Sequence, residues 1–312
     1  MIRTSRPAVD PRVVPVFGTT REGQPLSYNR APAPDLAPWL ARLSVTRMRL
    51  AEGQTLACGL FADAAGIRIH LGGHAEVDTV HGVTHQERSA VFMGPQTKIL
   101  PVRLSGDFVS VGVAYRPSAC TPLLGPIMPQ LVDRVTPALY WPEAQLLALF
   151  KASDHPEAQL QAIEGLFRER VAALRDIQPE PITARFEEIA FIDPAMSIAQ
   201  AAREIGVDRR RLERLVVRDF GLPPKQVLRR ARALDMASYL RGVADDGEAE
   251  ALALRYYDES HLIREFVELF GMSPRQFTAL PQPLLTMTLE ARQARRLEMM
   301  GRLAPGERRP WQ

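Results

Sequence analysis

The chain has 312 residues, 46% of them hydrophobic and 24% charged, with a formal net charge of +3 and a sequence pI near 9.1. This length exceeds what one core usually holds, so two domains with connecting segments are expected, and the composition excludes a disordered or fibrous chain. Two cysteines, Cys58 and Cys120, with no CxxC pair, exclude a disulfide scaffold and fit a reduced, cytoplasmic setting.

Residues 1–38 are rich in proline and arginine, and "NRAPAPDLAP" reads as an extended arm that no helix interior tolerates. This proline-broken start lacks the apolar stretch of an export signal, and nowhere is there an apolar run of the ~18 residues a bilayer span needs. No membrane partner is expected. From 39 to 135 the chain alternates in short runs, "LSVTRMRL", "GIRIHL", "AVFMG", "TKILPVRL" and "FVSVGVAY", split by turn residues. That pattern predicts a β-rich domain, an antiparallel sandwich or barrel. Residues 136–180 read as a helical connector, in which Leu160, Ile163, Phe167, Val171 and Leu174 form an apolar stripe. The stripe must cover either its own sheet or a second chain. "IQPEP" then reads as a hinge.

Residues 181–281 are helical and repeat with an offset of fifty. Asp208, Leu212, Arg214 and Val217 correspond to Asp258, Leu262, Arg264 and Val267; Phe220, Gly221, Pro224 and Gln226 correspond to Phe270, Gly271, Pro274 and Gln276. In the first copy Ser197 and Gln200 make a capping box, Gly206 suits a tight turn and Asp208 caps the next helix. This is the grammar of a helix-turn-helix. At 100° per residue, Leu212, Leu215 and Val216 lie on one side of the second helix, and Arg210, Glu213, Arg214 and Val217 on the other. Arginine bonds bidentately to guanine, glutamate accepts from cytosine N4 and valine meets a thymine methyl. Arg209, Arg211 and Arg218 flank that stripe, where they suit phosphates. Residues 203–241 hold eleven Lys/Arg against five acids, a net +6, whereas 242–280 hold three against eight, a net −5. The first copy is therefore expected to dominate affinity for double-stranded DNA.

"AAREIGVDRRRLERLVVRDFG" followed by "ESHLIREFVELFGMSPRQF" resembles the tandem helix-turn-helix domain of AraC/XylS-type bacterial transcription regulators. "FMGPQTKILPVRLSGDFVSVGVAYRPSACTPLLG" resembles the β-rich, cupin-like domain that accompanies a subset of them. The resemblance implies an α+β multidomain chain that regulates transcription and is not an enzyme. Its β-rich domain would sense a small-molecule effector or form a homodimer, and RNA polymerase would be a partner if the protein is an activator. By motif position Arg210, Glu213 and Arg214 would read bases in the first motif and Ser260, Ile263 and Arg264 in the second, with His261 in reach of a phosphate. The family usually places a glycine three residues before the second motif's aspartate; here that residue is Arg255.

His70, His74, His81 and His85 cluster in "HLGGHAEVDTVHGVTH", and imidazoles on neighbouring strands can bind a metal. A metal-dependent cupin-like enzyme is thus the alternative reading, although the spacing matches no firm ligand motif, and no cofactor is expected. A third reading is a co-regulator that binds another protein through the acidic second motif. Cys120 reads as a small buried hydrophobe. Residues 282–312 read as a helical tail, interrupted at Gln293, whose Arg292, Arg295 and Arg296 add DNA contacts or are simply solvated.

Overall fold

β-Branched and aromatic residues alternating with small or polar ones pleat the N-terminal half into strands. The computed structural model describes residues 6–244 and 259–312, with backbone alone at 259–262. One antiparallel sheet contains β1 (Val14–Pro15), β2 (Tyr28–Arg30), β3 (Leu40–Arg49), β4 (Thr55–Leu60), β5 (Gly66–Thr79), β6 (Gly82–Gln86), β7 (Ser89–Met93), β8 (Leu100–Tyr115) and β9 (Val135–Pro137). Its path runs β1-β3-β8-β5-β7-β9, with β2 on β3, β4 on β8 and β6 on β5.

The runs "TKILPVRL" and "FVSVGVAY", expected as two strands, are joined in β8. Its first part pairs with β4 and the far part of β5, its second with β3 and the near part of β5. The bend falls at Gly73 and Gly106, with φ of 70° and 69°. A Cβ on Gly73 would lie 2.7 Å from Phe108 Cα, so glycine is what lets the two long strands turn together.

Helices α1 (Pro117–Leu124), α2 (Glu143–Ala148) and α3 (Pro156–Ala173) cover one face of this sheet. Leu160, Ile163 and Phe167 are fully buried against Val45, Ile67, Val111 and Tyr115. The connector's stripe is therefore spent on its own sheet, each of these side chains contributing about 1.5–3 kcal/mol. The N-terminal segment is packed rather than free: Leu26 and Leu36 are buried, and Arg30 bridges Glu157 and Glu164 on α3 at 2.9 and 2.8 Å.

Beyond the connector come α4 (Pro181–Ile192), α5 (Ile198–Ile205), α6 (Arg209–Phe220), α7 (Pro224–Leu240), α8 (Glu259–Phe270), α9 (Pro274–Ala279) and α10 (Pro283–Met299). At the expected hinge, the Glu180 N–H donates to Ser118 O of α1 at 3.0 Å. Helix α10 departs most from its reading as a loose tail. Leu284 and Met287 face the sheet core, while Leu285, Leu289 and Leu297 complete the core of α7, α8 and α9. A helix apolar on two sides shows no single stripe in sequence, and Gln293, the expected interruption, is fully buried. Arg292 and Arg296 are not offered to DNA either: Asp235 of α7, itself fully buried, accepts from them at 2.5 and 2.9 Å. The final turn also folds back, Trp311 Nε1 donating to Glu290 at 3.0 Å and Trp311 O accepting from Arg21 N.

Candidate nucleic-acid interface

Helix α5 opens on the Ser197–Gln200 capping box and closes on Gly206 at φ 81°. Asp208 then caps α6 by accepting from Arg211 N at 2.9 Å. Phe186, Ala201, Ala202, Leu212, Val216 and Phe220 form the core between α4, α5 and α6. With that side of α6 inside, Arg209, Arg210, Arg211 and Arg214 are exposed on the other. Arg209 Nε donates to Glu213 at 2.7 Å, so the glutamate already has a cation four residues away. The guanidiniums of Arg210, Arg211 and Arg214 have no ion-pair partner among the described residues.

Arg218 is placed differently from the phosphate role expected of it. Its guanidinium makes a bidentate pair with Asp219 at 2.7 and 2.8 Å and reaches Glu180 at 3.4 Å. Asp219 also accepts from Thr121 of α1 and Thr183 of α4, at 2.6 and 2.7 Å. Sequence periodicity put Arg218 beside the reading stripe, but the last turn of α6 is docked on the β-rich domain, and docking commits this arginine to a structural pair.

In the second copy Ile263 and Val267 on α8 are 37% and 41% exposed, and Arg264 is exposed. Arg255 and the side chains of Ser260 and His261 lie outside the described residues. Arg229 of α7 holds Glu265 of α8 at 3.3 Å and also pairs with Glu268, tying the second motif to the linking helix.

The two copies end alike, on Gly221 and Gly271 with φ of 71° and 68°, but their surroundings differ. A Cβ on Gly221 would meet Met128 O of the β-rich domain at 2.8 Å, whereas one on Gly271 meets nothing within 4 Å. Gly271→Ala is expected to cost about 1–2 kcal/mol, the left-handed penalty alone. Gly221→Ala should cost more, and equal losses in urea unfolding would show that the contact with Met128 yields freely.

Residues 201–279 match the family model described as a helix-turn-helix domain. They form an AraC-type helix-turn-helix domain. The protein is a DNA-binding transcription regulator. Among solved structures, apo ToxT from Vibrio cholerae, as a point variant, is 11% identical with a TM-score of 0.45, covering 76% of this chain and 96% of that one. Wild-type ToxT from Vibrio cholerae with a bound unsaturated fatty acid is 14% identical with a TM-score of 0.41, covering 76% and 94%. No curated protein matches the chain. Among the described residues no helix is long and apolar enough to cross a membrane.

The helix-turn-helix domain meets the β-rich domain across buried polar contacts. Arg230 of α7 donates to Gln96 O and Asp63 O at 3.0 and 2.6 Å. Glu187 of α4 takes Arg116 of the β-rich domain at 2.7 Å and Arg295 of α10 at 2.8 Å. Arg292 and Arg295 also line a cavity of about 100 Å³ between the β-rich domain and α10, with Leu284 and Met287 of α10 beside them. The helix-turn-helix domain is thus wired to the cavity by side chains of one helix.

The four histidines separate. His70 lines the cavity, buried against the Phe108 ring. Ala75 and Val77 face the same cavity, so strand alternation puts His74 and Glu76 on the outside. There His74, Glu76 and His85 bring their ligand atoms within 4.8 Å of one another, while Arg103 pairs with Glu76 at 2.6 Å. His81 is exposed at the β5–β6 turn and stands apart from this group. This cluster lies on the outer face of the sheet, away from the cavity. Cys58 and Cys120 are buried free thiols, and burial pushes the Cys58 thiol up to about 12, as befits inert packing groups.

Burial, and next the charge of Arg68, push the His70 imidazole down from 6.5 to about 4. An unfolded chain therefore binds one more proton between those pH values, and His70 costs stability as pH falls from 6.5 towards 4. The added slope should approach about 1.4 kcal/mol per pH unit. Urea midpoints of wild type and His70→Gln across this window should diverge accordingly, and parallel curves would mean that His70 reaches solvent.

Proposed function

We propose that the protein is a sequence-specific, cytoplasmic regulator that reads duplex DNA chiefly through α6. The observation that carries this reading is the set of exposed guanidiniums of Arg210, Arg211 and Arg214, without an ion-pair partner among the described residues, on a capped helix whose opposite face is core. Arg210 and Arg214 bond to guanines, Glu213 accepts from cytosine once Arg209 turns to a phosphate, and Arg211 holds a neighbouring phosphate. Ser260, Ile263 and Arg264 read the second groove segment with His261 on the backbone, so that one chain spans adjacent segments.

An effector in the β-rich cavity, or the dimer state of that domain, sets the position of this reader. What supports the effector route is that Arg292 and Arg295 line the cavity while pairing with Asp235 of α7 and Glu187 of α4. If the regulator activates, RNA polymerase is its further partner. The cavity serves control rather than catalysis, and no cofactor is required.

Selection of bound sequences from a random duplex pool near physiological salt tests the reading, with wild type and the Arg210→Ala/Arg214→Ala double variant in parallel. An enriched motif that weakens at defined bases in the variant is expected. Salt-sensitive binding without enrichment, before and after substitution, would reduce these arginines to phosphate contacts.

A further inference from the structure

In "HAEVDTVHGVTHQE" histidines and glutamates recur along a β-hairpin, and the pairing of β5 with β6 decides which of them meet. Glu76 stands directly opposite His85, and His74, two residues before Glu76, shares its face. Ala75 and Val77 on β5 and Gln86 on β6 point the other way and line the cavity, so these three side chains occupy the outer face of that wall. On its other side Glu76 is paired with Arg103 of β8.

Both imidazoles converge on one carboxylate oxygen. His85 Nδ1 is 3.5 Å and His74 Nε2 is 3.8 Å from Glu76 Oε1, and the ligand atoms of the three residues all lie within 4.8 Å of one another. Neither ring makes a hydrogen bond among the described residues, and at these separations its contact with Glu76 is looser than a sound hydrogen bond. A tetrahedral ion with bonds of about 2.0–2.1 Å keeps its donors roughly 3.4 Å apart, so the space between them has the size that such an ion fills. Arg103 takes the other oxygen, Glu76 Oε2, at 2.7 Å from Nε and 2.6 Å from Nη2, and leaves Oε1 to the histidines. Glu87 stands 3.6 Å from His74 Nδ1, where a small approach lets it accept that proton and leave Nε2 bare as a donor.

We propose that His74, Glu76 and His85 bind a zinc ion on the outer face of the β-rich domain, with the fourth position open to water. Two imidazoles and one carboxylate oxygen are donors that suit zinc, whereas magnesium and calcium call for oxygen ligands throughout. Arg103 opposes the ion, but its side chain is 59% exposed and water screens the repulsion. His85, 62% exposed, is free to turn its ring and close the remaining gap. The ion ties β6 to β5 and stiffens strands whose other side bounds the cavity. This inference goes beyond the reading of DNA and leans neither on the reading helix nor on what occupies the cavity.

The test uses the full-length protein, stripped of metal by a chelator, with Zn²⁺ itself as the probe in calorimetry and in competition with a chromogenic chelator, and Mg²⁺ as the control ion. One equivalent of zinc should bind with a Kd below about 10 µM and raise the unfolding midpoint, and magnesium should do neither. His85→Asn should weaken zinc by at least roughly 10- to 100-fold, the loss that removing even an outer partner of a ligand causes. Because His85 is exposed, this variant should unfold at the wild-type midpoint when zinc is absent. His74→Asn should weaken zinc similarly, while His81→Asn, on the same hairpin but outside the cluster, should bind it as wild type does. Arg103→Met removes the opposing cation and should tighten zinc about 3- to 10-fold.

Zinc binding that survives His74→Asn and His85→Asn, or that His81→Asn abolishes as readily, would overturn the assignment of these ligands. An affinity indifferent to both Glu76→Gln and Arg103→Met would remove the carboxylate from the site and overturn it as well. No saturable binding below the stated limit, or equal binding of magnesium, would overturn the zinc site altogether. The sequence selection above stands independently of each result.

Discussion

Arg214→Ala is expected to weaken the cognate duplex by about 1–3 kcal/mol, roughly 5- to 150-fold, while changing binding to random duplex much less. The asymmetry follows from placement. Arg214 is exposed on α6, one turn from Arg210 and next in sequence to Glu213, which Arg209 already holds, and among the described residues it has no acid to release before it meets a base. A phosphate contact would behave otherwise, weakening all sequences alike and lowering the salt slope by about one. Competition titrations at two salt concentrations, with cognate and scrambled duplex, separate the two outcomes. Equal losses on both duplexes would assign Arg214 to the backbone.

Asp235→Ala is expected to destabilise the protein by about 3–5 kcal/mol. Asp235 is fully buried between Arg292 and Arg296, whose side chains are 4% and 2% exposed. Alanine removes the carboxylate that two guanidiniums share in a desolvated site, while Arg292 also reaches Asp63 at 3.1 Å. The cost is greater than the net worth of the pair because the charges left behind cannot rehydrate. A loss below about 1 kcal/mol in urea unfolding would mean that water enters the site and screens it. The same substitution should also uncouple cavity from reader, because Asp235 lies on α7 and Arg292 on the cavity wall.

The reading helix was legible because its determinants are local. Ser197, Gly206, Asp208 and Gly221 each act within a turn of their own position, and the i, i+3, i+4 spacing of Leu212, Leu215 and Val216 decides which side of α6 is core. The exposure of Arg210 and Arg214 follows from that spacing alone. Arg218 was not legible, for its fate depends on Asp219, Thr121 and Glu180 meeting across a domain contact that no periodicity encodes. The same holds for α10, whose two apolar faces blur into an apparent defect at Gln293 until both neighbours are in place.

Strand alternation assigned residues to two faces of the sheet without saying what each face meets. That ambiguity hid Arg68, whose phase in "GIRIHL" suits a solvent-facing residue as well as a cavity wall. It also hid the division of the histidines, since a bend at Gly73 sends His70 inward and leaves His74 with Glu76 and His85 outside. By itself the sequence determined the helix-turn-helix, its duplication, the gathering of arginines on the first copy and the β-rich domain before it, all of them properties of short-range spacing and charge. Only the tertiary structure decided which arginines remain exposed on α6, which are buried as interdomain ties and which line the cavity. Those outcomes depend on desolvation by residues far apart in the chain, and burial is set by packing rather than by neighbours in sequence.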